Sequence, residues 1–208
     1  MKEPADGAHS DADRIKESLV DPGAFSCLFD RHAGSVHRYL SKRVGLAVAE
    51  DLVGETFVVA FRSRGSYDLT YLDARPWLFG IATNLTRHHW RAEGRRLTRE
   101  ANHAPLLVVE PDTSETVAER LFFEAQGTPI VEALAKLVPA QRDVLLLVAG
   151  PGLSYEEISV ALGIPVGTVR SRLARARLQL RELLGDAGQY LDVGHSGPSH
   201  SILKRESS

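Results

Sequence analysis

The sequence predicts an all-α chain: two small helical domains joined by a flexible linker, the C-terminal one a helix-turn-helix. Three observations carry this prediction. Apolar residues recur at helical spacing in two separated runs, one before residue 99 and one after residue 129. No run shows the apolar–polar alternation of a half-buried strand. Ser154 to Leu184 reads as a capped helix, a tight turn and an arginine-loaded second helix.

The elements follow in order. Residues 1–20 are polar and read as a disordered N-terminal tail. Residues 21–99 form the first module. Phe25, Leu28, Phe29, His32, Val36, Tyr39 and Leu40 follow helical spacing, and Gly45 marks a break. Leu52, Val53, Thr56, Phe57, Ala60 and Phe61 make a second amphipathic helix. Ser63 to Arg75 is a polar loop. Pro76 suits the first turn of a third helix, where its missing N–H costs nothing. Trp77, Leu78, Ile81, Ala82 and Leu85 give that helix its buried stripe. Trp90, further along, suits either the core or base stacking. Residues 100–128 read as a linker, with a short helix near Val117 to Phe123. Residues 187–208, rich in Gly, Ser and His, read as a disordered C-terminal tail.

The second module, residues 129–186, holds the strongest signal. Leu134, Leu137 and Val138 belong to one short helix, and Pro139 opens the next. Val144, Leu145, Leu147 and Val148 line that helix until Gly150-Pro151-Gly152 ends it. Ser154 and Glu157 form a capping box, and Gly163 suits the left-handed position past a helix end. On the next helix, at about 100° per residue, Val169, Leu173, Ala176 and Leu180 fall on one side and must pack inward. Ser171, Ala174, Arg175 and Leu178 fall opposite, with Arg170, Arg172 and Arg177 on the flanks. A central arginine pairs with both guanine acceptors in the major groove; flanking ones suit phosphates. Thr168 at the start of this helix completes the candidate DNA-binding set.

Composition narrows the functional classes. The 208 residues carry a net charge of −2, which a free-standing DNA-binding domain would not predict. The distribution says more. Arg87, Arg91, Arg95, Arg96 and Arg99 cluster, as do Arg170, Arg172, Arg175, Arg177 and Arg181. Glu110, Asp112, Glu115, Glu119 and Glu124 lie between them. Two basic modules on an acidic tether suggest two contacts with nucleic acid. Cys27 is the one cysteine, so no internal disulfide forms, and its apolar neighbours suggest a small core residue. No apolar run approaches the roughly 20 residues that span a bilayer, and MKEPADGAHSDADRIKE holds no signal-peptide core. A cytoplasmic protein that does not engage membranes is expected.

Three stretches, two in the first module and one in the second, carry a family resemblance. Glu50-Asp51-Leu52-Val53-Gly54-Glu55-Thr56-Phe57 resembles the polymerase-binding helix of bacterial sigma factors, and Pro76-Trp77-Leu78-Phe79-Gly80-Ile81-Ala82-Thr83-Asn84 resembles the helix that follows it. Pro165 to Leu173, continued by Ala174-Arg175-Ala176-Arg177, resembles the family's upstream-promoter reader. Both modules and their order are similar to the two-domain, extracytoplasmic-function (ECF) sigma factors of the sigma-70 family. That resemblance implies sigma region 2 over 21–99 and sigma region 4 over 129–186. It implies that Glu50, Asp51 and Glu55 dock on the clamp helices of the largest subunit of core RNA polymerase, and that the flap of the second largest subunit is also contacted. It implies that the loop holding Tyr67, Asp68 and Tyr71 accepts a base flipped from the non-template strand. Asn84 and Arg87 would face the melted strand, with Arg91, Arg95 and Arg96 on its backbone. The linker would pass through polymerase channels built for nucleic acid. Promoter DNA and core polymerase are the implied partners, with an anti-sigma factor as a further one. Gly54 departs from the family's usual glutamine and weakens its helix by about 1 kcal/mol relative to alanine.

Two other classes compete. A helix-turn-helix regulator working without polymerase would use the same second module, paired with a sensing or dimerising domain. A metal-dependent enzyme would draw on His88, His89 and Glu93; His89 and Glu93 share a helix face, but no third ligand joins that pair at a metalloenzyme spacing. The chain has no glycine-rich phosphate loop and no nucleophile elbow. No catalytic residue, metal or cofactor is expected.

Overall fold

The computed structural model describes residues 9–101, 118–123 and 127–185, and every regular element among them is helical. The first module comprises α1 (Asp11–Ser18), a 3-10 turn (Pro22–Phe25), α2 (Ser26–Val44), α3 (Leu46–Ser63), a 3-10 turn (Arg64–Ser66) and α4 (Arg75–Ala101). Residues 118–123 form a linker helix, α5. The second module comprises α6 (Pro129–Ala135), α7 (Pro139–Ala149), α8 (Tyr155–Leu162) and α9 (Val166–Leu184). Most of the expected linker and the whole of 187–208 lie outside the described residues.

The first correction concerns the N-terminus. Residues 1–8 lie outside the described residues, but 11–18 are a docked helix and not a loose tail. Ser10 and Asp13 form a capping box at its start. Ile15 is fully buried. Asp11 fastens the helix: its carboxylate accepts from the Ala74 N–H (2.9 Å), Arg31 Nη1 (3.0 Å) and His32 Nε2 (2.8 Å). A helix this short is unstable alone. Its stability comes from these tertiary contacts with α2 and the start of α4, which no local pattern announces.

The other elements of this module match their apolar spacing. Leu28, Val36, Tyr39, Leu40 and Val44 bury one face of α2. Gly45, at φ 81°, ends α2 and starts α3, a conformation that disfavours any residue with a Cβ. Leu52, Val53, Thr56, Phe57 and Ala60 form the inner face of α3. Phe25 meets Phe61 edge-on at 5.3 Å, and Tyr39 meets Phe79 at the same distance. Two expected core residues lie further out. Phe29 stays 46% exposed while its ring rests on Phe57, and Cys27 is half-buried.

In the second module the capping box forms as read: Glu157 N–H donates to Ser154 Oγ, and Ser154 N–H to Glu157 Oε2. Gly163 is left-handed at φ 63°, ψ 36°. Val169, Leu173, Ala176 and Leu180 are the buried residues of α9, as the helical wheel requires. Arg142 was not foreseen. It is fully buried and donates to the carbonyls of Leu134 (2.7 Å), Ala135 (2.8 Å) and Leu137 (2.9 Å). A cation thus closes the C-terminal end of α6, where carbonyls lack helical partners.

The two modules pack against each other. A single apolar cluster runs from Leu40 and Phe79 in the first to Val144, Leu147 and Ile158 in the second. At the crossing of α4 and α8, a Cβ on Gly80 would lie 2.4 Å from the Ala161 carbonyl oxygen. Only glycine permits that approach.

Candidate polymerase and nucleic-acid interfaces

Helix α9 presents its arginines as the wheel demands. Arg170, Ser171, Ala174 and Arg175 are exposed; Thr168, Arg172 and Arg177 are half-buried on the flanks. Ser171 Oγ donates to the Thr168 carbonyl at 3.1 Å, which fixes its rotamer. The ladder from Leu173 to Leu180 anchors the opposite side, so the helix can enter a groove without losing its core.

Helix α3 presents Glu50, Asp51, Gly54, Glu55 and Val58 on its outer surface, all exposed. Asp51 and Glu55 are one turn apart and share a face. An added Cβ at Gly54 meets nothing within 4 Å, so this surface is open. Leu46, 69% exposed, and Val58, 47% exposed, add apolar area to the acidic face. That combination suits a protein partner with a cationic surface.

The loop between α3 and α4 differentiates three residues the sequence grouped together. Tyr67 is half-buried against Trp77, ring centroids 4.9 Å apart. Its hydroxyl donates to the carbonyls of Tyr71 (2.6 Å) and Asp73 (3.3 Å). Burial, then the charges of Asp11, Asp73 and Asp68, push that phenol well above its ordinary value. Tyr67 is therefore a brace inside the loop. Asp68 is exposed and accepts from Thr70 N–H (3.0 Å) and Oγ1 (2.8 Å), which lowers its pKa. Tyr71 remains 44% exposed, with Leu69 (40%) and Leu72 (67%) beside it. These three side chains give the loop an apolar rim of the kind an unstacked base requires.

Helix α4 carries the basic cluster. Asn84, Arg95 and Arg96 are exposed, and Arg91 is half-buried. Arg96 Nε pairs with Glu93 at 3.0 Å. Trp90 belongs to the core: it is 4% exposed and packs on Phe122 of α5 at 5.2 Å and on His89 at 4.9 Å. Arg87 is committed elsewhere. Its Nε (2.8 Å) and Nη2 (2.6 Å) both bind Asp143 Oδ2 of α7.

Residues 28–96 match the family described as Sigma-70 region 2, and residues 128–180 match Sigma-70, region 4. The RNA polymerase sigma factor CarQ of Myxococcus xanthus is 34% identical over 180 residues, covering 84% of this chain and 95% of that one. The ECF RNA polymerase sigma factor BldN of Streptomyces coelicolor is 32% identical over 188 residues, covering 86% and 69%. The chain belongs to the ECF RNA polymerase sigma factors. Among solved structures, CnrH in complex with the cytosolic domain of CnrY aligns with TM-score 0.55 at 28% identity, covering 83% of this chain and 97% of that one. The sigma factor RpoE in complex with the anti-sigma factor NepR from Bartonella quintana aligns with TM-score 0.56 at 25% identity, covering 77% and 96%.

In this sigma factor the boundary between regions 2 and 4 holds charges that sequence reading did not place. Arg43 (1% exposed) binds Asp143 Oδ1 at 2.6 Å and Glu119 Oε1 at 3.3 Å. Arg142 Nη1 lies 2.7 Å from Glu119 Oε2. Arg43 also donates to Tyr39, whose hydroxyl donates to Thr83 (each 2.8 Å); Thr83 in turn donates to the Phe79 carbonyl. Burial opposes the charge on Arg43, but Asp143, Tyr39 and Glu119 outweigh it and raise its pKa. Glu119, read as part of a solvated or channel-lining tether, is instead 1% exposed. The available signal was an arginine and an aspartate, 142 and 143, directly ahead of the apolar run Val144 to Val148 in one helix. His88 is exposed, His89 meets Trp90 edge-on and Glu93 pairs with Arg96. Asp11, His32 and Asp73 place ligand atoms within 4.8 Å of one another, but hydrogen bonds from Arg31 and Ala74 already fill Asp11. Among the described residues no helix is long and apolar enough to cross a membrane.

Proposed function

We propose that this chain is the promoter-specificity subunit of RNA polymerase in its ECF form. It binds core polymerase, directs it to particular promoters and helps open the DNA; the synthesis of RNA belongs to the polymerase, which places the chain in the cytoplasm. The observation that supports this best is the presence of regions 2 and 4, in order, on one chain similar to known ECF sigma factors over most of its length. Glu50, Asp51 and Glu55 dock on the clamp helices, with the flap receiving region 4. Arg175 reads a base pair of the upstream element, Ala174 permits close approach, and Thr168, Arg170, Ser171, Arg172 and Arg177 secure the backbone. Tyr71 receives an unstacked base in the downstream element, over a loop braced by Tyr67 and shaped by Asp68. Asn84, Arg87, Arg91, Arg95 and Arg96 follow the displaced strand. No ATP is used, because binding of the flipped base offsets the lost stacking. An anti-sigma factor is a further partner; RpoE and CnrH, similar in structure, are each solved with a bound protein.

Run-off transcription decides the matter. Purified core polymerase is supplied with promoter-bearing fragments, with and without this chain. New discrete transcripts that depend on the chain are expected. Failure to join core, or joining without any change in initiation, overturns the proposal. Tight binding to duplex promoter DNA without polymerase would favour a polymerase-independent regulator instead.

A further inference from the structure

Helix α1 is fastened to the loop between α3 and α4 at both of the loop's ends. At the far end Asp11 grips two points of one short stretch. Its N–H donates to the Leu72 carbonyl (3.1 Å), and its carboxylate accepts from the Ala74 N–H (2.9 Å). Arg31 and His32 of α2 hold that carboxylate in place. At the near end Arg64 Nε donates to the Ser18 carbonyl (3.3 Å), and its guanidinium lies over the Phe61 ring at 3.8 Å. Ser18 is itself fully buried and donates to the Ile15 carbonyl. Between the two ends, the Tyr67 hydroxyl draws the Tyr71 and Asp73 carbonyls together. The large apolar side chains left outside are Leu69, Tyr71 and Leu72. Neither fastening residue lies on that rim: Asp11 is buried and Arg64 is half-buried.

We infer that α1 is a splint for the downstream-element loop: Asp11 and Arg64 are positioning residues that hold Leu69, Tyr71 and Leu72 in the arrangement that receives an unstacked base. They act through the loop and not through contact with DNA. An exposed irregular segment left to itself samples many conformers, and ordering it at the moment of binding weakens affinity. A carbonyl and an N–H two residues apart, both held by Asp11, fix the position and the rotation of the stretch between them. That stretch follows directly on Tyr71, so the direction in which the Tyr71 and Leu72 side chains leave the backbone is set by α1. Discrimination among bases therefore depends on residues well before the loop in sequence. Capture of a base rests on the function proposed above; the splint itself does not.

Two measurements on the full chain test this. In the free protein, hydrogen exchange read by mass spectrometry should be faster over residues 67–74 in Arg64→Ala and in Asp11→Asn, and unchanged over α9. Asparagine keeps the shape of Asp11 but turns an amide nitrogen toward one of its donors. With core polymerase bound, each variant is then offered a pool of single-stranded DNA oligonucleotides with a randomised central stretch, and the bound fraction is sequenced. The wild type should enrich particular bases; both variants should flatten that enrichment. If the splinted population falls to about one in ten, the apparent Kd for the enriched strand rises about tenfold. Arg64→Lys, which can still donate to the Ser18 carbonyl, should retain the wild-type pattern. Partial unfolding would lower the amount bound and leave the pattern of enrichment as it is. Should Asp11→Asn fail to fold, Arg64→Ala at the other end still decides. Unchanged exchange over 67–74 in folded Arg64→Ala overturns the splint, as does faster exchange with wild-type enrichment. Faster exchange in the variants of a chain whose wild type enriches no base would sink the downstream-element reading and leave the splint standing.

Discussion

Asp143→Ala isolates the energetics of the charged boundary. The change leaves Arg43 at 1% exposure without its 2.6 Å partner, and releases Arg87. Arg87, 26% exposed on its side chain, can regain water, and its share is at the level of a surface pair, about 0–1 kcal/mol. Arg43 cannot. Removing one member of a buried pair costs about 3–5 kcal/mol, chiefly because the other charge stays buried without a partner. Arg43 keeps Glu119 at 3.3 Å and the Tyr39 hydroxyl at 2.8 Å, which places it at the lower end, near 3 kcal/mol. The modules have an alternative, which is to separate and hydrate Arg43. The observed loss is then capped by the free energy that holds them together. Urea unfolding followed by tryptophan fluorescence reads this, because Trp90 is buried at the boundary beside Phe122. A drop of about 3 kcal/mol in one transition means the boundary stays shut. A smaller drop with a second, earlier transition means that it opens. A stability equal to wild type in one unchanged transition would refute the reasoning.

Four further outcomes are expected. Asp11 is held at about 2, against an ordinary 3.8: burial works against its charge, and is outweighed by the His32 hydrogen bond, the Ala74 N–H and Arg31. Its folded pKa lies below the unfolded one, so its stabilisation, about 2 kcal/mol, is complete above pH 4 and disappears as pH falls toward 2. The stability difference between wild type and Asp11→Asn should shrink over that window; a constant difference would count against the assignment. Gly54→Ala, on an open helical surface, should raise stability by up to about 1 kcal/mol in thermal melts; a lower melting temperature would mean that the position is not as open as its surroundings indicate. Arg175→Ala should cost about 1–3 kcal/mol at one upstream base pair and relax selectivity there; a uniform loss across promoter variants would make it a phosphate contact. Asp51 and Glu55 changed together to lysine should abolish co-purification with core polymerase, and undiminished recovery would dismiss that docking face.

What was legible in the sequence was what is local. The helix-turn-helix is specified within about thirty residues: Ser154 and Glu157 start it, Gly163 turns it, and four inward residues fix how α9 lies. Each of these acts over one or two turns of chain, where sequence spacing and spatial spacing coincide. What stayed hidden depends on distant partners. Helix α1 is a polar segment until Asp11 meets Ala74, sixty-three residues away. Tyr67 and Tyr71 are alike as letters, yet one ring is turned in against Trp77 and the other out. Glu119 is unremarkable in an acidic linker until Arg43, seventy-six residues earlier, is found beside it.

The charged boundary also accounts for a feature of composition that seemed to oppose DNA binding. A net charge of −2 is an odd foundation for a protein whose ligand is an anion. Its carboxylates are not spread at random around the arginines. Asp143 and Glu119 are placed on Arg43, Arg87 and Arg142, at the centre of the fold. Arg95 on α4 and Arg170 and Arg175 on α9 stay exposed. The acid thus neutralises arginines at the centre of the fold and leaves positive charge on the outer faces, so the charge a partner meets there is not the net charge of the chain.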